Sequence, residues 1–281
     1  MSAPMIDDRD WSLLSRPQQI HQLEVEGYLV LPDLLDAEQL IRLKAATARL
    51  TTTAVDYSEH QQVAGNVQFA SPEITRLIGH PTTTEFLLDL FGDEIVMMTY
   101  AYARSEPGHP GISLHTDGQP YGSEIFGYEG SCPVLVRVLY YLDDLTPDVS
   151  PFRVVPRSHL SLHAEANPYL RYQSHPEEVM VTARAGSAVL IHPRVFHGNF
   201  PNRGNRSREL LAIAYRPAWA GPLAEVDEWD PTELQDIEPQ VRPYLGSRNQ
   251  RRVDLHGGNK PDNMPDRADG LSPSRWSCRP R

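Results

Sequence analysis

Cysteine and lysine are both scarce in this chain, with two residues of each among 281. Cys132 and Cys278 lie far apart and neither belongs to a C-x-x-C pair. The sequence therefore predicts neither a disulfide framework nor a thiolate zinc site. Lys44 and Lys260 are the two lysines, so nearly all of the positive charge is arginine, a bias typical of a GC-rich bacterial genome that carries no information about function.

Long apolar runs and a basic leader are also missing. No stretch reaches 18 consecutive apolar residues, so no transmembrane helix is expected. The first residues, MSAPMIDDRDW, are acidic and lack the basic-then-apolar pattern of a signal peptide. The formal net charge of −11 and the pI near 5.4 disfavour nucleic acid and anionic membranes as partners, because both would repel this surface. We expect a cytoplasmic protein with a small-molecule substrate, either a monomer or a homodimer.

Helical patterns come first in the chain and short β-strand patterns follow. Residues 36–50 form an amphipathic pattern that Asp36 can cap, and a second helical region covers residues 72–91. Between residues 130 and 220 the pattern is β, with Val136, Val138 and Tyr140 on one face of a strand and Arg137, Leu139 and Tyr141 on the other. This order predicts an α+β fold with a mainly β core, an antiparallel sandwich or barrel.

Composition divides the chain into three parts. Residues 1–16 are predicted to be a loose lead-in and residues 17–220 to be the folded domain. Residues 221–281 form a C-terminal extension or tail, rich in Gly, Pro, Asn, Asp and Arg towards its end, that either wraps the surface or is disordered.

A metal site is suggested by SLHTDGQPYG, residues 113–122. His115 and Asp117 stand two apart at the end of a strand, and on an extended backbone such residues point to the same side. A third ligand would have to come from a neighbouring strand, and IHPRVFHGN offers His192 and His197. Two histidines and one carboxylate are the ligand set of non-haem Fe(II) oxygenases, which leaves coordination positions open. A lone His-x-Asp is more often a hydrogen-bonded turn, so the wider pattern decides.

Arg208 adds an anion partner to this pattern. It opens the strand RELLAIAYRP and lies eleven residues after His197. A dicarboxylate cosubstrate such as 2-oxoglutarate needs a charged, bidentate partner for its far carboxylate, which the guanidinium of arginine supplies better than lysine.

At this point the sequence resembles a known family. The segments EGYLVLPDLLDAEQLIRL, LHTD, PFRVVPRSH and AGSAVLIHPRVFHGNFPNRGNRSRELLAIAYRP look like the phytanoyl-CoA dioxygenase family of Fe(II)/2-oxoglutarate oxygenases, over residues 18–217. The resemblance implies a double-stranded β-helix, or jelly roll, with N-terminal helices on its outside. It also implies a requirement for Fe(II), 2-oxoglutarate and O₂.

The resemblance also implies roles for individual residues. His115, Asp117 and His197 are expected to be the iron ligands, and Arg208 the partner of the distal carboxylate of 2-oxoglutarate. His192 competes with His197, since Arg203 lies eleven residues after it, but the Gly-x-x-Pro-Asn signature follows His197.

The resemblance implies that four further residues line the cosubstrate site. Asn199 lies two residues after the iron-binding histidine, and Tyr102, with Thr99 as the second choice, lies on the strand before the His-x-Asp. Gln68 lies where relatives place a residue that reaches into the site. Each of these residues, Asn199 included, could equally be a packing or surface residue.

Two departures from the family pattern concern loop shape. The usual PGSH is PRSH here, with Arg157 in place of glycine, and Val149-Ser150 replaces an asparagine-glycine pair. Residues 118–130 are predicted to form either a mobile lid or a plain surface loop. Arg137 could meet an anionic substrate group if its face turns inward, and is otherwise a structural arginine.

The presence of Asp117 favours hydroxylation or another oxidation over halogenation, because halogenating members of the superfamily lose that carboxylate. The sequence thus predicts a dioxygenase that oxidises an unactivated C–H bond of a small molecule in natural-product or amino-acid metabolism. Two other classes stay open: a catalytically silent jelly-roll binding protein, and a Zn- or Mn-dependent isomerase or hydrolase of the cupin type.

Overall fold

A computed structural model provides the fold. It describes residues 4–92, 94–115, 134–160, 174–222 and 225–252, with the side chains of 113–115 left undescribed.

Four α-helices lie in the described N-terminal third of the chain. They are α1 (Arg16–Glu26), α2 (Ala37–Thr47), α3 (Pro72–Arg76) and α4 (Pro81–Phe91). The predicted cap of α2 is confirmed, because the Asp36 carboxylate accepts from the Gln39 backbone N–H at 2.7 Å and the Gln39 side chain accepts from the Asp36 N–H. The second helical region, predicted over residues 72–91, consists of α3, a 3₁₀ turn and α4.

Twelve strands in the described residues form two sheets. The strands are β1 (Met5–Asp7), β2 (Tyr28–Leu31), β3 (Thr53–Val55), β4 (Ser58–Gly65), β5 (Ile95–Ser105), β6 (Ile112–His115), β7 (Val136–Tyr141), β8 (Phe152–Val154), β9 (Val179–Val181), β10 (Ala188–Ile191), β11 (His197–Asn199) and β12 (Arg208–Pro217). The smaller sheet has the order β1-β9-β8-β11-β6, and the larger has the order β2-β10-β7-β12-β5-β4-β3. The two sheets form the jelly roll that the sequence predicts.

The two faces of the larger sheet have different surroundings. One face packs against the helices, and three of its tyrosines donate hydrogen bonds on that side: Tyr100 to Ile74 O, Tyr140 to Thr83 Oγ1 and Tyr215 to Ile78 O. The other face, called the inner face below, carries Arg208 and the half-buried Ala101, Ala103 and Ala212, together with Leu139 and Leu210.

Part of the fold was not anticipated from the sequence. Residues 53–65 form the hairpin β3–β4, although their pattern is polar, because the hairpin lies at the edge of the sheet and is partly exposed. The lead-in is not loose over its described part. β1 pairs in parallel with β9, and Trp11 is buried against Tyr28 with ring centroids 5.9 Å apart.

The described part of the C-terminal extension packs on the larger sheet. Arg216 is buried and donates to the carbonyl groups of Ser247 and Gln250, both at 2.8 Å. Arg248 donates to Met98 O and covers the ring of Trp229. These contacts lie near the first half of β5, the end remote from Arg208. In the described ranges, no helix is both long and apolar enough to cross a membrane.

Candidate active site

The backbone pairing of β6 and β11 brings two predicted ligands together. His197 is the Cα partner of His115 in the antiparallel register of these strands. The two positions are 82 residues apart in the sequence, and only the closed sheet makes them neighbours. Directly opposed residues of an antiparallel pair have Cβ atoms about 4.5–5.5 Å apart.

The ring of His197 is held in one orientation. Its Nδ1 lies 2.9 Å from the carbonyl oxygen of Val195, and a carbonyl oxygen can only accept, so Nδ1 carries the proton. In the neutral imidazole the lone pair is then on Nε2. The ring also stacks on Phe152, with centroids 6.1 Å apart and planes 28° apart. A metal-binding histidine is oriented in this way when its second nitrogen donates to a backbone carbonyl.

Asn199 connects the two sheets. It lies two residues after His197 on β11, on the same face, and it is buried. With its amide oriented to satisfy its neighbours, its nitrogen donates to Gly198 O at 2.8 Å and its oxygen accepts from Nη2 of Arg208. This hydrogen bond shows that the face of β11 that bears His197 and Asn199 is turned towards the inner face of the larger sheet.

Arg208 is fully buried at the start of β12. Its Nε and Nη1 have no hydrogen-bond partner among the described residues. Burial lowers the pKa of Arg208, although a guanidinium stays charged throughout the accessible pH range. A buried cation with unpaired N–H groups is costly unless an anion binds it, so this position is suited to a carboxylate ligand.

Two further polar side chains near Arg208 also have unpaired atoms. The ring of Tyr141 lies 5.6 Å from the guanidinium carbon, and its hydroxyl is buried without a partner in the described structure. His109 is buried in the loop before β6, and neither of its ring nitrogens has a partner in the described residues. Burial, then the charge of Arg208, then His60 lower the pKa of His109 to about 4, so the ring is neutral at pH 7.

The structure does not bring Tyr102 to this site. Its neighbour in β12 is Leu211, so it lies on the face opposite to Arg208, and its hydroxyl donates to Oε2 of Glu209 at 2.7 Å. Thr99 is exposed and lies opposite Ala214, far along β12 from Arg208. The alternation of side chains along β5 directs Tyr102 into the helix-covered core and away from Arg208.

Gln68 is buried in the turn after β4, where its backbone carbonyl accepts from Oγ1 of Thr75 at 2.7 Å. The glutamine that lies in register with Arg208 across the larger sheet is Gln61 and not Gln68. It pairs with Ser105 on β5, and Ser105 pairs with Arg208 on β12. Gln61 is buried and its Oε1 has no partner in the described residues.

His192, the alternative to His197, lies elsewhere. Its ring packs on His159 with centroids 4.4 Å apart, and its Nδ1 accepts from the Arg194 N–H at 3.1 Å. It follows β10 at the end of the larger sheet beside Gly27, whose carbonyl accepts from the His192 N–H. The structure thus brings His197, and not His192, opposite His115.

Some predicted features lie outside the described residues. Asp117 and the predicted lid, residues 118–130, belong to this part of the chain, and only the backbone of His115 is described. No group of three metal-binding side chains occurs within the described ranges, which contain one of the three predicted ligand side chains.

Sequence reasoning missed Gln61, His109 and Tyr141. Tyr141 had a usable signal, because it alternates onto the same face as Arg137, which the register places opposite Ala214 on the inner face. His109 had none, since a histidine between two prolines and glycines in PGHPG is indistinguishable from a surface loop residue.

Comparison with known proteins identifies a family. The model described as phytanoyl-CoA dioxygenase (PhyH) matches residues 23–210, which is more than half of the chain. Two similar proteins come from fungi. Dioxygenase trt7 of Aspergillus terreus is 22% identical over 251 residues, covering 84% of this chain and 85% of that protein. Dioxygenase olcK of Penicillium canescens is 23% identical over 189 residues, covering 66% of this chain and 61% of that protein.

Similar solved structures share the fold. HygX from Streptomyces hygroscopicus, solved with nickel and 2-oxoglutarate bound, has a TM-score of 0.62 and 20% identity, covering 76% of this chain and 92% of HygX. The epimerase SnoN, solved with Fe³⁺, alpha ketoglutarate and nogalamycin RO, has a TM-score of 0.60 and 18% identity, covering 85% of this chain and 96% of SnoN. The carbocyclase SnoK from nogalamycin biosynthesis has a TM-score of 0.61 and 18% identity, covering 77% of this chain and 88% of SnoK.

Proposed function

The chain belongs to the phytanoyl-CoA dioxygenase family, and on that premise we propose that it is an Fe(II)- and 2-oxoglutarate-dependent oxygenase that hydroxylates an aliphatic C–H bond of a small molecule. In the balanced reaction, 2-oxoglutarate, O₂ and R–H give succinate, CO₂ and R–OH. A cytoplasmic location stays a prediction.

Arg208 carries this proposal. Its guanidinium is fully buried, is charged, and has unpaired N–H groups at Nε and Nη1 in the described residues. A dicarboxylate fits this environment, because one carboxylate can accept from the guanidinium while the 2-oxo acid end remains free for a metal. The residues present therefore fit the cosubstrate of the family.

Iron would be held by His115, Asp117 and His197. The register that pairs His115 with His197 supports the first and third ligands, and the Nδ1–H donation of His197 supports ligation through its Nε2. When bound, Fe(II) supplies the oxygen activation and oxidative decarboxylation that no amino-acid side chain can perform.

The side chains of this site would position the metal, the cosubstrate and the substrate relative to one another. Val195 O and Phe152 fix the ring of His197, so its lone pair has one direction. Asn199 fixes Arg208 through the hydrogen bond between the sheets, which sets the distance from the anion site to the β11 ligand. Burial keeps bulk water away from the guanidinium and strengthens its attraction for a carboxylate.

A small-molecule substrate is supported by the solved structures with this fold. HygX was solved with hygromycin B bound and SnoN with nogalamycin RO. Because an epimerase and a carbocyclase are among them, hydroxylation needs a direct test on this chain.

The test begins with cosubstrate turnover. Protein loaded anaerobically with Fe(II) is given 2-oxoglutarate and O₂, and succinate is measured with and without a panel of aminoglycoside, polyketide and amino-acid compounds. We expect slow succinate release without substrate, a stimulation by the true substrate, and a product heavier by one oxygen atom that comes from ¹⁸O₂.

Four results would contradict the proposal in different ways. A product of unchanged mass indicates an epimerase, and one lighter by two hydrogens indicates cyclisation or desaturation. Tight binding of Zn(II) or Mn(II) with no visible absorption band on adding 2-oxoglutarate to the Fe(II) protein indicates the metal-dependent isomerase or hydrolase. Absence of succinate under all conditions indicates a binding protein.

A further inference from the structure

Buried polar groups without a hydrogen-bond partner among the described residues cluster at the end of the larger sheet where β12 begins. Four buried side chains there have such atoms: Gln61, His109, Tyr141 and Arg208. Buried polar groups in folded proteins are nearly always paired, so a cluster of unpaired ones points to a missing ligand.

Tyr141 is fixed beside Arg208 by the strand register. It pairs with Leu210, two residues after Arg208 on the neighbouring strand, so both side chains lie on the inner face. Its ring lies 5.6 Å from the guanidinium carbon and its hydroxyl is fully buried. Tyr140, the next residue, points to the other face and donates to Thr83 Oγ1 at 2.8 Å. The unpaired hydroxyl is therefore specific to the Arg208 side.

Backbone contacts place His109 near the end of β12 where Arg208 lies. Its carbonyl accepts from the Asn202 N–H at 2.9 Å, and the Asn202 side chain donates to Ser105 O at 3.2 Å. Ser105 is the strand partner of Arg208. The ring of Tyr57 covers His109, with centroids 6.1 Å apart. His109 is 1% exposed, so solvent does not satisfy its ring nitrogens.

These groups match one carboxylate in both charge and hydrogen bonding. Tyr141 is neutral at pH 7, because burial raises its pKa to about 12. His109 is neutral as well, so Arg208 supplies the single positive charge. A carboxylate has about four lone-pair sites, and the Arg208 guanidinium, the Tyr141 hydroxyl and one ring N–H of His109 can each supply it with a donor.

We propose that Tyr141 and His109 are two further cosubstrate-binding residues, which together with Arg208 hold the distal carboxylate of a dicarboxylate. This inference rests on the proposed function and adds residues to the site that the family motif does not include. His109 donates from whichever ring nitrogen faces the ligand, since neither nitrogen is committed elsewhere in the described structure.

The test is calorimetric titration of Ni(II)-loaded, non-turnover protein with 2-oxoglutarate, using the full chain. Tyr141→Phe and His109→Leu each remove a donor at nearly constant volume, and we expect the Kd to rise about tenfold or more for each. His109→Gln keeps an N–H donor and is expected to retain more affinity than His109→Leu. Ni(II) affinity should not change in any of them.

Matched controls separate ligand contact from structure. Tyr140→Phe removes a buried hydroxyl on the helix side, and His60→Gln changes a half-exposed neighbour of His109. Both should bind 2-oxoglutarate as the parent chain does, even if Tyr140→Phe lowers the melting temperature.

Two results would overturn the inference. In the first, the Tyr141 and His109 variants bind 2-oxoglutarate as tightly as the parent. In the second, they lose Ni(II) affinity or stability in parallel with 2-oxoglutarate affinity, which indicates a structural role. If the parent chain itself does not bind 2-oxoglutarate, the proposed function fails instead, so the two failures are distinguishable.

Discussion

Asn199 on β11 and Arg208 on β12 meet across the space between the two sheets, where the asparagine amide oxygen accepts from the guanidinium Nη2. This contact links the strand that bears His197 to the strand that bears the buried cation. It leaves Nε and Nη1 of Arg208 unpaired in the described residues, so the guanidinium is positioned but not neutralised.

Asn199→Asp tests whether Arg208 is kept free for an anion. The new carboxylate would pair with the guanidinium and compete with an anionic ligand, so we expect about tenfold or weaker binding of 2-oxoglutarate with thermal stability retained or increased. Titration calorimetry and thermal unfolding measure the two effects. Asn205→Asp is the control, because it makes the same charge change at an exposed position three residues from Arg208. Unchanged affinity in Asn199→Asp would show that Arg208 does not bind the cosubstrate.

The choice between His197 and His192 predicts a difference in metal binding. His197→Gln removes the side chain opposite His115, and we expect Fe(II) or Co(II) affinity to fall by about 100-fold or more. His192→Asn should leave metal affinity unchanged, because His192 packs on His159. Metal content after dialysis and titration with Co(II) measure both. If His192→Asn lost metal affinity and His197→Gln did not, His192 would be the metal ligand instead.

The buried histidine pair predicts acid sensitivity of the fold. Burial, then His159, then Arg194 lower the pKa of His192 to about 3, and burial lowers the pKa of His159. Below about pH 6.5 these two histidines therefore bind protons in the unfolded chain but not in the folded chain. The stability from the neutral rings is complete above that pH and is lost as the pH falls from 6.5 towards 3. For His192 alone the free energy of unfolding should fall by about 2 kcal/mol between pH 6.5 and 5.

This prediction is tested by the slope of the free energy of unfolding against pH. Urea unfolding at pH 7.5, 6.5, 5.5 and 5 should give a weaker pH dependence for His192→Asn, which keeps an acceptor for the Arg194 N–H and cannot ionise. His21→Asn, at an exposed position of α1, should keep the parent slope. Equal slopes in the parent and His192→Asn would contradict the assignment.

Arg157 replaces the glycine that the family pattern has in PGSH, and its φ of 65° is in the left-handed region. That conformation costs a non-glycine residue about 1–2 kcal/mol, and the ion pair of Arg157 with Glu26 is long, 3.6 Å, and largely exposed. We expect Arg157→Gly to raise the melting temperature by roughly 2–4 °C. Arg49→Gly, at an exposed position without positive φ, should lower it. A lower melting temperature for Arg157→Gly would show that its side-chain contacts outweigh the strain.

Local patterns were sufficient for the helices and most strands. The cap at Asp36 and the alternation of β7 follow from side-chain chemistry within a few residues of sequence, so the sequence alone predicts both. β1 and the polar hairpin β3–β4 were missed, because edge strands are stabilised by pairing with a distant neighbour rather than by their own apolar pattern.

The sequence by itself determined the family, through the His-x-Asp, the histidine before Gly-x-x-Pro-Asn and the arginine eleven residues later. Tertiary structure decided which of the other polar residues could meet them. Tyr102 and Tyr141 are equally plausible in the sequence, but the register turns Tyr102 to Glu209 on the helix side and Tyr141 to Arg208 on the inner side. Side-chain direction in a strand alternates with every residue, so a site built across several strands depends on pairings that only the folded sheet fixes.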